Sequence, residues 1–194
     1  MTLHLEKKAI RALGIAESFH DKAKISTLAG VVMRTDLVID GFGIGKLTVS
    51  GSDATESIVS LANAIQRNDL NALILSGSVL SLYNIVDVDE LCSELSIPVV
   101  ALTFSKSRAN LLQNIEERFP SGIANRKKKL LEKLGSPKKV RLRTGYDVFV
   151  RNSGIGEKES KRLLDRFTLQ GAIPEPIRVA RLLAKAVSAE SEKW

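Results

Sequence analysis

Two short runs in the middle of the chain, Ala72–Leu75 and Pro98–Phe104, are apolar at almost every position. A half-exposed strand alternates apolar and polar residues, and a surface helix carries one apolar stripe. A continuous run of this length is instead expected of a strand buried on both faces, inside a sheet covered by helices. The segments around the two runs supply that cover. Ile58, Leu61, Ala62 and Ile65 are spaced for one helical face, and Asp53 with Glu56 forms a capping-box-like start, Asp-Ala-Thr-Glu. Helices are expected near Asp89–Leu95, over Ala109–Arg118 and over a basic segment, Asn125–Leu134. Lys158–Phe167 and Ile177–Val187 read as amphipathic helices, with Pro176 at the first position of the last. Val140–Val150 holds an alternating, strand-like piece.

The region before residue 53 reads differently. Ala9–Ile15, Lys24–Arg34 and a third strand or hairpin (Leu37–Ile39 with Lys46–Ser50) follow one another without helices between them. Such strands are expected to be antiparallel neighbours. The fold class is therefore α/β: a mixed sheet in which three antiparallel strands are followed by alternating helices and parallel strands. With 194 residues and no linker between two cores, one domain spanning 1–194 is expected, with a basic excursion at 122–143.

Charge is distributed unevenly. Arg126, Lys127, Lys128, Lys129, Lys133, Lys138, Lys139, Arg141 and Arg143 lie in one stretch with a single acid, Glu132. The chain's 29 bases less these nine leave 20, against 21 acids once Glu132 is taken from the 22. A near-neutral body carrying one basic patch suits a phosphate-backbone partner, DNA or RNA. The competing reading is a solvated face or a contact for an acidic protein. Aromatic content of 5% leaves little material for stacking single-stranded bases, which favours backbone contact. No apolar run approaches the roughly 20 residues that span a bilayer, Met1–Ile10 lacks a signal-like apolar core, and the single cysteine, Cys92, makes no internal disulfide. A cytoplasmic protein is expected.

Several motifs fail on inspection. Gly41-Phe42-Gly43-Ile44-Gly45-Lys46 suggests a phosphate loop, but the spacing is short, Leu47 replaces the required hydroxyl, and a strand rather than a helix should follow; a flexible turn is expected instead. His4 and His20 lack ligand spacing for zinc. Ser76 has Ile74 where a nucleophile elbow needs glycine. Carboxylates near strand ends remain. Two-metal phosphodiester chemistry needs two or three of them converging at one sheet edge. Glu17, just past the first expected strand, and Asp53, Glu56, Asp87 and Asp89 are the candidates. The plainer reading makes Asp53, Glu56, Asp87 and Asp89 helix caps and Glu17 an exposed strand end.

The string Gln170-Gly171-Ala172-Ile173-Pro174-Glu175-Pro176-Ile177-Arg178-Val179-Ala180 resembles the C-terminal signature of endonuclease V and its relatives. With Asp53-Ala54-Thr55-Glu56, Ser76-Gly77, Tyr83-Asn84-Ile85-Val86-Asp87 and Ile97-Pro98-Val99-Val100, it looks closest to an uncharacterised, largely archaeal, endonuclease V-like branch, family 99 of the domains of unknown function. The resemblance covers the chain from about Ala9 and implies a ribonuclease H-like fold and Mg²⁺-dependent phosphodiester hydrolysis. It also implies departures. An aspartate expected after the first strand is Ala16 here, and one expected before Gly77 is Ser76. The family glutamate maps to Asp53 or Glu56, the active-site lysine to Lys106, and a histidine expected near Ser153–Glu157 is missing. Alanine cannot ligate Mg²⁺, and a neutral serine replaces a carboxylate poorly. The expectation is a nucleic-acid-binding protein with a degraded or rearranged nuclease site. If it is active, Asp53, Glu56 and Glu17 would hold Mg²⁺ and Lys106 would meet phosphate charge; otherwise it is a non-catalytic interaction protein.

Overall fold

A computed structural model of the chain describes residues 10–104 and 111–190. Three strands open it: β1 (Arg11–Ser18), β2 (Ile25–Arg34) and β3 (Ile39–Thr48), paired antiparallel in that order. Helix α1 (Ala54–Ala64) leads to β4 (Ala72–Leu75), which lies parallel beside β1. A two-strand hairpin follows, β5 (Val79–Leu80) and β6 (Asn84–Ile85), then α2 (Val88–Leu95) and β7 (Val99–Thr103), parallel to β4. Helices α3 (Leu111–Arg118) and α4 (Ser121–Leu134), strands β8 (Lys138–Arg141) and β9 (Asp147–Ser153), and helices α5 (Glu157–Phe167) and α6 (Glu175–Glu190) complete the chain. The sheet order is β3-β2-β1-β4-β7-β9-β8. Among the described residues no helix is long and apolar enough to cross a membrane.

The two apolar runs are the central strands β4 and β7, and their residues divide between two cores. Ile74, Val100 and Leu102 pack with Ala12, Ala16 and Val31 beneath α5 and α6. Leu73, Leu75, Val99 and Ala101 pack with Leu13, Ile15 and Leu28 beneath α1 and α2. Each face of the sheet is thus covered, which explains why these strands carry no polar residue until Thr103, at the end of β7.

Three elements differ from the sequence expectation. The first strand continues through Glu17 to Ser18, so Glu17 lies inside it, opposite Leu28. The glycines at 41, 43 and 45 sit within one continuous β3 rather than in a turn. Packing explains this: a Cβ at Gly43 would lie 2.8 Å from side-chain carbons of Ile65 and Leu61, so glycine lets the C-terminal part of α1 lie close on the sheet. The Val140–Val150 segment is the end of one strand and the start of another, turning at Gly145 (φ +87°), and β9 runs antiparallel to β7, so the parallel set ends at β7. The basic segment is likewise divided: α4 carries one half, and the other begins in edge strand β8.

Gly14 positions the last helix. A Cβ there would lie 2.5 Å from the Pro176 carbonyl carbon, so the first turn of α6 rests directly on β1. Five residues further along that helix stands Arg181.

Candidate functional site

Among the described residues the acids named from the sequence form no metal-holding group; Glu17 and Asp53 instead brace the strand ends. Glu17 accepts from Ser26 Oγ (2.7 Å), Ser81 Oγ (3.0 Å) and the Ser81 N–H (3.2 Å). Ser81, Leu82 and Tyr83 all have left-handed backbone, with φ of 36°, 53° and 69°. Consecutive non-glycine residues there cost about 1–2 kcal/mol each, so the hairpin needs anchoring. Glu17 holds one side of it. Asn84, fully buried, holds the other: its Nδ2 donates to Asp53 Oδ1 (2.6 Å) and to the Thr48 carbonyl (2.8 Å).

Asp53 occupies the N-cap position of α1 but makes no side-chain cap. Its carboxylate turns back to accept from Thr48 Oγ1 (2.7 Å) and the Thr48 N–H (3.1 Å), while Asn84 Oδ1 accepts from the Ala54 N–H at 3.0 Å. Asn84 thus takes over the role that the capping box assigned to Asp53. Burial raises the Asp53 carboxyl, but the bonds from Thr48 and Asn84 outweigh it and hold the group below the usual carboxylate range. Glu56 is exposed on α1. Asp87 is the expected cap of α2: it accepts from the Asp89 and Glu90 N–H groups at 3.2 Å and pairs with Lys133 Nζ at 2.6 Å. Burial works against its charge as well, and those bonds again prevail, leaving it lowered. Lys106 lies outside the described residues.

These acids do not fit the Mg²⁺ that a nuclease reading implies. Ala16 is fully buried in the layer beneath α6 and offers no ligand atom. Ser76 offers a neutral hydroxyl. Glu17 and Asp53 are already engaged by hydroxyl, amide and N–H donors, which a cation would have to displace. Among the described residues no three His, Cys, Asp or Glu side chains gather as a metal-holding group.

The basic stretch is also reorganised. Lys127 corrects the expectation most clearly. It is 3% exposed, with its ammonium 4.7 Å from the Phe119 ring centroid and donating to the Gly51 and Tyr83 carbonyls. It is a strut between α4 and the hairpin and cannot reach a phosphate backbone. Burial pushes its amine down, against the opposing influence of Asp53. Lys128 pairs with Glu116, Lys138 with Glu157, Lys139 with Asp147 (2.8 Å) and Arg141 with Asp147 (3.2 Å). The Arg143 N–H donates to Asp165 at 2.6 Å. Arg126 and Lys129 are exposed and form no ion pair among the described residues. Pairs as exposed as those of Lys138, Lys139 and Arg141 are weak and open readily to a competing anion.

What sequence reasoning missed is a cavity of about 1020 Å³ at the carboxyl ends of β4 and β7. Ser76, Gly77, Ser78, Thr103 and Phe104 line its floor, and Arg151 and Arg181 its walls. Arg151 lies opposite Ala101 on β9; its guanidinium donates to Ser78 Oγ and to the Gly135 carbonyl, each at 3.0 Å. Arg181 reaches in from α6, 5.2 Å from the Phe104 ring centroid. Neither has a carboxylate within 4.0 Å among the described residues. Burial disfavours the charge of both; Arg178 adds to that effect at Arg181, and Glu17 opposes it. Both remain cations, since guanidinium does not deprotonate in proteins. The two stand 30 positions apart in the chain, and no window of sequence joins them.

Comparison with known proteins gives the fold a wider setting. The family model described as endonuclease dU matches residues 8–188. A UPF0215 protein of Pyrobaculum calidifontis is 31% identical over 175 residues, covering 90% of this chain and 95% of the relative. A crystal structure of a protein of unknown function from Archaeoglobus fulgidus superposes with a TM-score of 0.79 at 25% identity, over 92% of this chain and 98% of that one. Endonuclease V of Ciona intestinalis, solved with DNA containing an inosine followed by a ribo-adenosine, shares the fold with a TM-score of 0.61 at 12% identity, over 94% and 87% of the two chains.

Proposed function

The chain belongs to the endonuclease dU family, and from that membership we propose that it binds nucleic acid at the carboxyl ends of β4 and β7, with a site poorly equipped for metal-dependent cleavage. The observation that carries this reading is the pair of half-buried guanidiniums of Arg151 and Arg181 around a strand-end cavity. In open α/β sheets ligands gather outside the carboxyl ends of the parallel strands, and β1, β4 and β7 all end there. Arg126 and Lys129, with the pairs that open readily, supply further backbone contact. The family description supplies a substrate class to test first, DNA containing dU.

Ala16 and Ser76 leave the ends of β1 and β4 without the carboxylates that hydrolysis of this type requires. Hydrogen bonding holds Glu17 and Asp53 to the hairpin. Phosphodiester binding survives the loss of the metal ligands; metal-assisted cleavage does not.

The test is a mobility-shift titration with uracil-containing DNA, normal DNA and RNA across increasing salt. Binding should appear at low salt and weaken steeply toward physiological salt, by about 0.7–0.9 log units per log unit of salt for each phosphate contacted. If none of the three shifts at low salt, the reading is wrong. A second reading, an interaction protein without a nucleic-acid partner, draws on the extensive ion pairing of the basic stretch. The same titration separates the two.

A further inference from the structure

We infer that the Arg151–Arg181 cavity holds one phosphate of the bound strand directly, with guanidinium charge standing where a two-metal enzyme places its cations. This rests on the nucleic-acid reading above and adds to it the identity of the group bound and its independence from divalent metal. Four observations carry it. The cavity lies at the ends of β4 and β7, beside Ser76, where a carboxylate ligand would be needed and a neutral hydroxyl stands. Two planar guanidiniums enter it from different elements, Arg151 from β9 and Arg181 from α6. That arrangement suits the tetrahedral oxygens of a phosphate, which arginine engages through paired N–H donors. Burial partly desolvates both, and among the described residues neither has a carboxylate within 4.0 Å to compensate its charge. The backbone at Gly77 (φ +148°) adopts a conformation that side-chain-bearing residues rarely take, and it leaves the floor of the cavity bare of a side chain there.

The acids nearby do not cancel this charge. Glu132 is an exposed lining residue. Glu17 favours the charge of Arg181 from a distance, but its oxygens are engaged by Ser26 and Ser81. A metal ion would meet two fixed positive charges in this space, whereas a phosphate would meet two matching ones. The absence of carboxylates at 16 and 76 and the presence of the arginines therefore have one physical meaning: metal ligands are not needed where guanidinium charge takes over the function of the metal.

The experiment measures fluorescence anisotropy of labelled short strands, with either a 5′-phosphate or a 5′-hydroxyl, against the full chain in EDTA and in Mg²⁺ at matched ionic strength. The wild-type protein should bind equally in both buffers. Preference for the 5′-phosphate identifies a terminal monoester in the cavity; equal affinity identifies an internal phosphodiester. Arg151→Ala and Arg181→Ala should each weaken binding by roughly tenfold to a hundredfold, the range for a charge-assisted contact. Arg181→Lys, which keeps charge and bulk but loses the paired donors, should fall between, and thermal melts confirm that each variant is folded. Ser76→Asp, which places a carboxylate beside both arginines, should weaken binding in either buffer. If the arginine variants bind like wild type, or if Ser76→Asp gains affinity with Mg²⁺, the cavity assignment is overturned while nucleic-acid binding elsewhere stands. If the wild-type protein binds neither strand, the functional reading itself falls.

Discussion

Replacing Glu17 separates a brace from a metal ligand, because the two roles predict stability changes of opposite sign. As a brace, Glu17 takes three donors: the Ser81 N–H and the hydroxyls of Ser26 and Ser81. Ser26 is fully buried and Ser81 is 2% exposed, so water cannot freely replace the lost acceptor. Hydrogen bonds to a charged group contribute about 1.5–3 kcal/mol each, and bonds sharing one carboxylate do not add fully. Ser26 Oγ keeps a second acceptor, the Ser18 carbonyl at 3.1 Å. The Ser81 N–H, in the left-handed turn, has no such substitute among the described residues. Glu17→Ala should therefore cost about 3 kcal/mol. In a chain of this size each kcal/mol lowers Tm by about 2–4 °C, so the midpoint should fall by about 6–12 °C. Glu17→Gln keeps one oxygen for the Ser81 N–H and leaves the hydroxyls to reorient, so about half that loss is expected. The assay is thermal and urea unfolding followed by far-UV circular dichroism, in EDTA. Were Glu17 one of several clustered metal ligands, removing it would relieve repulsion in the metal-free protein, and stability would rise. A Glu17→Gln variant melting at or above wild type would refute the brace.

Other outcomes follow from the same geometry. Gly14→Ala should destabilise by about 3 kcal/mol or more, because its Cβ meets the Pro176 backbone at 2.5 Å rather than a flexible side chain; urea midpoints check this, and a shifted α6 should also weaken strand binding through Arg181. Asp53 and Asp87 both titrate below the ordinary carboxylate range when folded, so their contribution is fully present above the unfolded value and is lost as pH falls through the folded one. Unfolding midpoints measured from neutral pH downward should fall in that acid window, and Asp53→Asn should flatten the decline. Mg²⁺ should leave Tm unchanged, whereas a site filled to a hundred times its Kd would add about 2.7 kcal/mol.

The legible part of the fold was the part that local pattern controls. The apolar runs at 72–75 and 98–104 hold the central strands β4 and β7, and the helix-free start is the antiparallel trio. The glycines of β3 misled because their reason is tertiary: the side chain of Ile65 occupies the space a Cβ at Gly43 would need. Asp53 misled similarly, since Asn84, 31 positions later, takes over the α1 cap. The basic stretch is visible as composition, yet most of its partners, among them Asp87, Glu116, Asp147 and Glu157, lie outside the window that reveals it. Only folding shows that Lys127 is a strut and that the charges facing the strand ends are Arg151 and Arg181. Ala16 and Ser76 were readable as positions without a carboxylate, and the structure places Ser76 on the cavity that Arg151 and Arg181 line.

The central claim is that positive side chains replace metal at this site, so that the protein holds a strand without cutting it. One reaction tests this most directly: the wild-type protein with a uracil-containing duplex, in Mg²⁺, in Mn²⁺ and in EDTA, read for both the shifted complex and the nicked strand. The shifted fraction should be the same in all three buffers, with no nicking above the protein-free control. Nicking that requires metal, and that disappears in Glu17→Gln or Asp53→Asn, would contradict the claim.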